Sequence, residues 1–134
     1  MKNIVLRDDR KYIFDRMKFM GIINITPDSF YEASRKNSIQ SAVDTAMRMI
    51  EEGADVLDIG GESTRPGSEP VKLYEEIERV IPVIRGIREK NSDTLISVDT
   101  YRAETAREAV EAGADIINDI SAMSFDYRMP DVVK

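Results

Sequence analysis

Glu52-Gly53-Ala54-Asp55-Val56-Leu57-Asp58 returns sixty residues later as Ala112-Gly113-Ala114-Asp115-Ile116-Ile117-Asn118. Each copy contains the end of a helical segment, a glycine suited to a C-terminal cap, a short continuous apolar run and a polar residue at its far end. Strands that are apolar at successive positions are buried on both faces, as in parallel sheets covered by helices. The repeated unit therefore sets the fold class as α/β with parallel strands, and it suits a closed barrel as well as an open sheet.

The flanking sequence carries the same grammar. Residues 19–24, 55–59, 94–98 and 115–118 are strand candidates. Between them, residues 38–52 present Val43, Ala46, Met47 and Ile50 on one helical face. Residues 73–90 form a second stripe from Leu73, Ile77, Val80, Ile81, Ile84 and Ile87, and Pro82 inside it predicts a local kink. Residues 102–112 form a third helix, for which Thr100 is the expected N-cap and Gly113 the C-cap. Residues 1–18 read as a separate lead-in, with two small strands around the turn-prone Asp8-Asp9-Arg10.

Length bounds the architecture. A complete (β/α)₈ barrel takes at least roughly 200 residues, and 134 residues leave room for about four units. Residues 129–134 read as the first turn of a further helix, so the chain is expected to be a fragment of a longer barrel or sheet. With 42% hydrophobic and 33% charged residues the chain falls in the soluble globular class. No apolar stretch has the length of a membrane span, and the charged start lacks a signal-peptide core. With no cysteine, disulfide and thiolate chemistry are excluded, and the expected location is cytoplasmic. A net charge of −6 argues against a nucleic-acid partner. With no histidine, any acid–base step within the chain must use other groups.

Ligands of parallel α/β folds gather at the carboxyl ends of the strands. Here the four strands are read as ending on Asn24, Asp58, Asp99 and Asn118. One polar residue after a strand is ordinary loop chemistry. Four carboxylate or amide side chains in register indicate a shared site. The following loop, Gly60-Gly61-Glu62-Ser63-Thr64-Arg65-Pro66-Gly67, combines two glycines, two hydroxyls and a guanidinium. Such a loop can cradle an anion through backbone N–H groups and a charged fork, although a plain Gly/Pro turn would share part of the pattern. The turn Thr26-Pro27-Asp28-Ser29-Phe30 offers one aromatic, Phe30, as either a packing residue or a cover over a flat ligand.

Together these segments resemble dihydropteroate synthases. Met20 to Phe30 is similar to the family's first signature and Asp58 to Gly67 to its second. Ser97-Val98-Asp99-Thr100 and Ile117-Asn118-Asp119-Ile120 match the third and fourth strand ends. The resemblance implies a TIM (β/α)₈ barrel of which residues 19–134 supply the N-terminal half. It implies a transferase of folate biosynthesis that condenses 6-hydroxymethyl-7,8-dihydropterin diphosphate with p-aminobenzoate, with Mg2+ accompanying the diphosphate, and that is a sulfonamide target. It implies that Asp99 and Asn118 hold the pterin, that Thr64 contacts its diphosphate and that Asp58 lies at the floor. Phe30, Ser63, Arg65 and Pro66 would line the p-aminobenzoate and anion end, and Asn24 would meet the metal. A homodimer is the expected assembly.

Two departures qualify the resemblance. Where the family usually has Asp-Gly-Gly, this chain reads Tyr31-Glu32-Ala33-Ser34, a stiffer loop. The family's later aspartate, lysine, arginine and histidine fall after the fourth strand, so the chain alone is expected to be inactive. Two other readings compete. Pterin-binding methyltransferases share the barrel but should lack the loop Thr64 to Gly67. A non-catalytic half-barrel would self-associate through open sheet edges.

Overall fold

The computed structural model describes residues 2–25, 32–63 and 65–134, with the backbone alone for residues 32–34. Strands β1 (Lys2–Val5) and β2 (Lys11–Phe14) form an antiparallel hairpin. Then follow β3 (Met20–Asn24), α1 (Glu32–Glu51), β4 (Val56–Gly60), α2 (Leu73–Lys90) and β5 (Leu95–Asp99). The chain continues through α3 (Ala103–Ala112), β6 (Ile116–Asn118) and α4 (Met129–Val133). The four later strands form one parallel sheet in the order β3-β4-β5-β6.

Side chains alternate between the two faces of a strand. One face sends Ile23, Leu57, Ile59, Ile96 and Val98 into a core with Val43 and Ala46 of α1, Val80, Ile84 and Ile87 of α2, and Ala109 of α3. Burying an Ile or Leu there contributes about 1.5–3 kcal/mol. The other face presents Asn24, Asp58, Gly60, Ser97, Asp99 and Asn118, and Ile22 on it is exposed. That split puts the apolar surface under the helices and the polar set on the opposite side of the sheet.

The internal repeat is real at the level of single bonds. Gly53 and Gly113 both adopt left-handed φ, 103° and 119°, which a side chain would strain. The next residue of each copy donates back to its helix, Ala54 N to Met49 O and Ala114 N to Ala109 O. Each aspartate then accepts an N–H from the neighbouring segment, Phe19 just before β3 to Asp55 and Ile96 of β5 to Asp115, both at 2.9 Å. Each also takes an arginine from the lead-in, Arg16 on Asp55 and Arg10 on Asp115. The repeat thus caps the helices and fastens the hairpin beneath the sheet. Asp58 and Asn118, equivalent in the repeat, are nevertheless two residues apart in register. Asp58 faces Ser97, Ser97 faces Ile116, and Asn118 lies two residues beyond. A stagger of two residues over two strands is the shear of an eight-stranded barrel.

Three sequence expectations are corrected. β4 ends on Gly60, not on Asp58, because Gly60 completes the ladder with Asn24 and Asp99. Thr100 does not cap α3. Its Oγ1 accepts from Arg102 N, while Ala103 N at the helix start donates to Asp126 Oδ2 at 2.9 Å. Helix α1 begins at Glu32, six residues before the start read at Ser38, and Met47 is only half-buried at the side of its apolar stripe. Pro82 lies inside α2, which runs on to Lys90 without its N–H.

Candidate functional site

Across the carboxyl ends of the sheet, Asn24, Gly60, Asp99 and Asn118 form one register row. Two of the row's members need the glycine between them. A methyl group on Gly60 would lie 3.1 Å from Asn24 Oδ1 and 3.5 Å from Asp99 Oδ2, so the absent side chain leaves a polar cradle. Asp58 sits one layer deeper on the same face, 4% exposed. Its Oδ2 accepts from Asn118 Nδ2 at 3.1 Å. The four polar side chains thus lie on one face in two layers, with a glycine in the upper one.

Asp99 is half-buried and faces acidic company. Burial pushes its carboxyl up to about 6, and the charges of Asp58, Glu76, Glu62 and Asp119 push the same way. A carboxyl so placed is poised to gain a hydrogen-bond donor, since a donor favours its ionised form.

The loop after β4 is folded against itself and its neighbours. Ser63 Oγ accepts from Arg65 N at 3.3 Å, and Ser68 Oγ donates to Ser63 O and Arg65 O at 2.6 and 2.7 Å. Arg79 Nη1 donates to Gly61 O at 2.8 Å. Arg65 and Pro66 stand on the exposed outer turn. Thr64 and Phe30, with the turn from Thr26, lie outside the described residues.

The foot of this loop is held by residues that sequence reasoning missed. Glu62 Oε1 accepts from Tyr101 OH at 2.8 Å, and Oε2 accepts from Val71 N at 3.0 Å. Arg102 pairs with Glu62 at 3.0 Å and with buried Glu76 at 2.8 Å. Thr105 Oγ1 donates to the same Glu76 oxygen at 2.8 Å. Burial works against the Arg102 charge, yet the Glu76 bond and the two glutamate charges hold its pKa above the ordinary arginine value. The signal was there: Glu76 precedes Val80, Val83 and Ile87 at helical spacing, which places a charge on the buried stripe.

Residues 20–134 match the family of pterin binding enzymes. The chain belongs to that family. It is similar to the dihydropteroate synthase of Streptococcus pyogenes serotype M1, 54% identical over 110 residues that make up 82% of this chain and 41% of the relative. The dihydropteroate synthase of Synechocystis sp. is 51% identical over 111 residues, 83% of this chain and 38% of the relative. In structure, Xanthomonas albilineans dihydropteroate synthase with 4-aminobenzoic acid superposes with a TM-score of 0.86 at 44% identity, over 98% of this chain and 48% of that one. Burkholderia cenocepacia dihydropteroate synthase complexed with 7,8-dihydropteroate gives 0.81 at 42% identity, over 98% and 42%. The chain therefore spans about two fifths of the length of the curated relatives, and its fold is part of their barrel.

Proposed function

We propose that this chain is the pterin-binding N-terminal part of a dihydropteroate synthase. The observation that carries the reading is the row Asn24, Gly60, Asp99 and Asn118 above Asp58, in a chain about half identical to such enzymes. The proposed whole-protein reaction joins 6-hydroxymethyl-7,8-dihydropterin diphosphate to p-aminobenzoate. The aniline lone pair forms a C–N bond at the pterin methylene, the C–O bond to diphosphate breaks with its electrons leaving on the diphosphate, and the surplus N–H proton goes to solvent. An aniline is neutral near pH 7, so this attack does not call for the histidine that the chain lacks.

In this reading Asp99 accepts from the pterin ring donors, and Asn118 reads an adjacent ring position. Thr64, Ser63 and Arg65 offer donors to the diphosphate and to the anionic end of p-aminobenzoate. Phe30 and Pro66 form the apolar side of that end. Among the described residues no group of three acidic, histidine or cysteine side chains could hold a metal. Mg2+ commonly takes one or two protein oxygens and completes its shell with phosphate and water. Asn24 Oδ1 beside the Gly60 cradle fits that shared mode. When bound there, Mg2+ would neutralise charge on the leaving diphosphate. The same reading gives a cytoplasmic homodimer and a chain that, alone, binds pterin but turns over little or none.

Calorimetric titration of a pterin diphosphate analogue with Mg2+ into the purified chain tests the reading, with Asp99→Ala as control. Binding that is lost in the control supports it. A folded chain that binds equally well with and without Asp99 contradicts it.

A further inference from the structure

The Asp58 side chain makes one hydrogen bond among the described residues, and it goes to Asn118. Asp58 is 4% exposed and faces Ser97, which is fully buried. Asp58 Oδ1 and Ser97 Oγ have no hydrogen-bond partner among the described residues. A buried carboxylate with one acceptor satisfied is an expensive arrangement to keep for packing alone. The amide nitrogen of Asn118 faces Asp58 and donates to its Oδ2. The amide oxygen of Asn118 is then directed away from Asp58.

We infer that Asp58 is a positioning residue that fixes the Asn118 side chain as a hydrogen-bond acceptor toward the pterin. This rests on the pterin reading above. Without Asp58 the amide can turn over, and half of its orientations would present N–H groups to ring N–H groups. The two side chains occupy equivalent places in the internal repeat and meet because the strands are staggered by two residues. The repeat thus supplies both the reader and the group that orients it, and Asp58 itself need not touch the ligand.

Two measurements test this on the 134-residue chain. The first is a double-mutant cycle with 6-hydroxymethylpterin as the titrated probe. Asp58→Ala is expected to weaken binding roughly tenfold, the scale of one lost charge-assisted hydrogen bond. In an Asn118→Ala background the same change is expected to have no further effect, because the group it acts through is gone. Losses that simply multiply, or an Asp58→Ala chain that binds like the wild type, overturn the inference. Asp58→Asn, which keeps the volume but can present either end, replaces Asp58→Ala in the cycle if the smaller residue does not fold. The second is the NMR spectrum of the Asn118 side-chain amide without ligand. The Nδ2 proton hydrogen-bonded to Asp58 should be shifted downfield and slow to exchange with solvent in the wild type and in Ser97→Ala, and in the Asp58 variants it should exchange quickly at the shift of a solvated amide. Unchanged amide signals overturn the inference. Failure of the wild-type chain to bind the probe would count against the pterin reading for this chain, and the amide signals would still decide the role of Asp58.

Discussion

Tyr101 donates its hydroxyl hydrogen to Glu62 Oε1 across 2.8 Å, which ties the end of β5 to the foot of the loop after β4. The ring also stacks under the Arg102 guanidinium at 4.7 Å and meets Phe125 edge-on at 5.4 Å. Burial and the Glu62 bond push the Tyr101 hydroxyl up to about 12. Tyr101→Phe should therefore remove a tyrosine that ionises last in an absorbance titration at high pH. It should cost about 0.5–1.5 kcal/mol in urea unfolding, the net scale of one hydrogen bond. Loss of an early-titrating tyrosine instead would contradict the assignment.

Arg102 stands between Glu62 and Glu76, and the Glu76 side chain is only 2% exposed. Removing the guanidinium leaves a buried carboxylate with the Thr105 hydroxyl as its remaining donor among the described residues. Arg102→Ala is expected to cost about 3–5 kcal/mol, the usual result of stranding one member of a buried pair. Adding Glu76→Leu should recover part of that loss, since the unpaired charge goes with it. Equilibrium unfolding of the single and double variants decides the matter. A double variant less stable than Arg102→Ala would show that Glu76 is held by something other than the pair.

Gly60 is the one member of the register row without a side chain. Gly60→Ala would place a methyl 3.1 Å from Asn24 Oδ1, closer than ordinary van der Waals contact. The backbone needs no unusual φ there, so folding should be little affected. Binding of a pterin diphosphate analogue with Mg2+ should fall about tenfold or more, because the cradle between Asn24 and Asp99 is filled. Wild-type affinity in Gly60→Ala would place the diphosphate elsewhere.

Most of the fold was legible because its signals are local. The span of α2 read from its stripe is the span found, and the glycine caps at Gly53 and Gly113 follow from one repeated heptapeptide. The site was legible as residue types at strand ends, but not as a geometry. Asp58 looked like a strand end because it is the last polar residue of an apolar run. Which residue completes the row depends on pairing with β3 and β5, a non-local fact. The cap of α3 by Asp126 and the clamp on Glu62 bridge residues 23 and 39 apart in sequence, which periodicity does not register. Glu76 alone left a trace, as a charge on an apolar stripe.

The two aspartates of the repeat should behave alike beneath the sheet. Asp115 takes Arg10, Arg88 and the Ile96 N–H, with its side chain 7% exposed. Asp115→Ala should leave the Ile96 N–H without this acceptor and take a carboxylate from Arg10 and Arg88, which keep Asp8 and the Gly113 and Thr94 carbonyls, for a loss of about 1–3 kcal/mol. Arg10 is over a third exposed, so Arg10→Ala should cost about 1 kcal/mol or less. Its clearer effect should be faster hydrogen exchange in the β1–β2 hairpin than in β4 and β5. Uniformly faster exchange across the parallel sheet would mean that the hairpin is part of the core rather than fastened to it.

The pH dependence of Asp99 has a definite sign. Its folded pKa, about 6, lies above the ordinary carboxylate value, so the folded chain holds this proton more tightly than the unfolded chain. Between those two values the unfolded state binds fewer protons, and the contribution of Asp99 to stability falls as pH rises. Asp99→Asn removes that loss. Relative to wild type the variant should therefore gain about 1–3 kcal/mol between pH 4 and pH 7, with the smaller figure allowing for solvent around a half-buried group. Pterin binding should run the other way. Ring donors favour the ionised carboxylate, so wild-type affinity should rise through pH 6 and level off above it, while Asp99→Asn should bind weakly with no such rise. Paired unfolding and binding curves across this range separate the two effects. A stability difference that is flat from pH 4 to pH 7 would mean that Asp99 is no more buried among carboxylates in solution than in the unfolded chain.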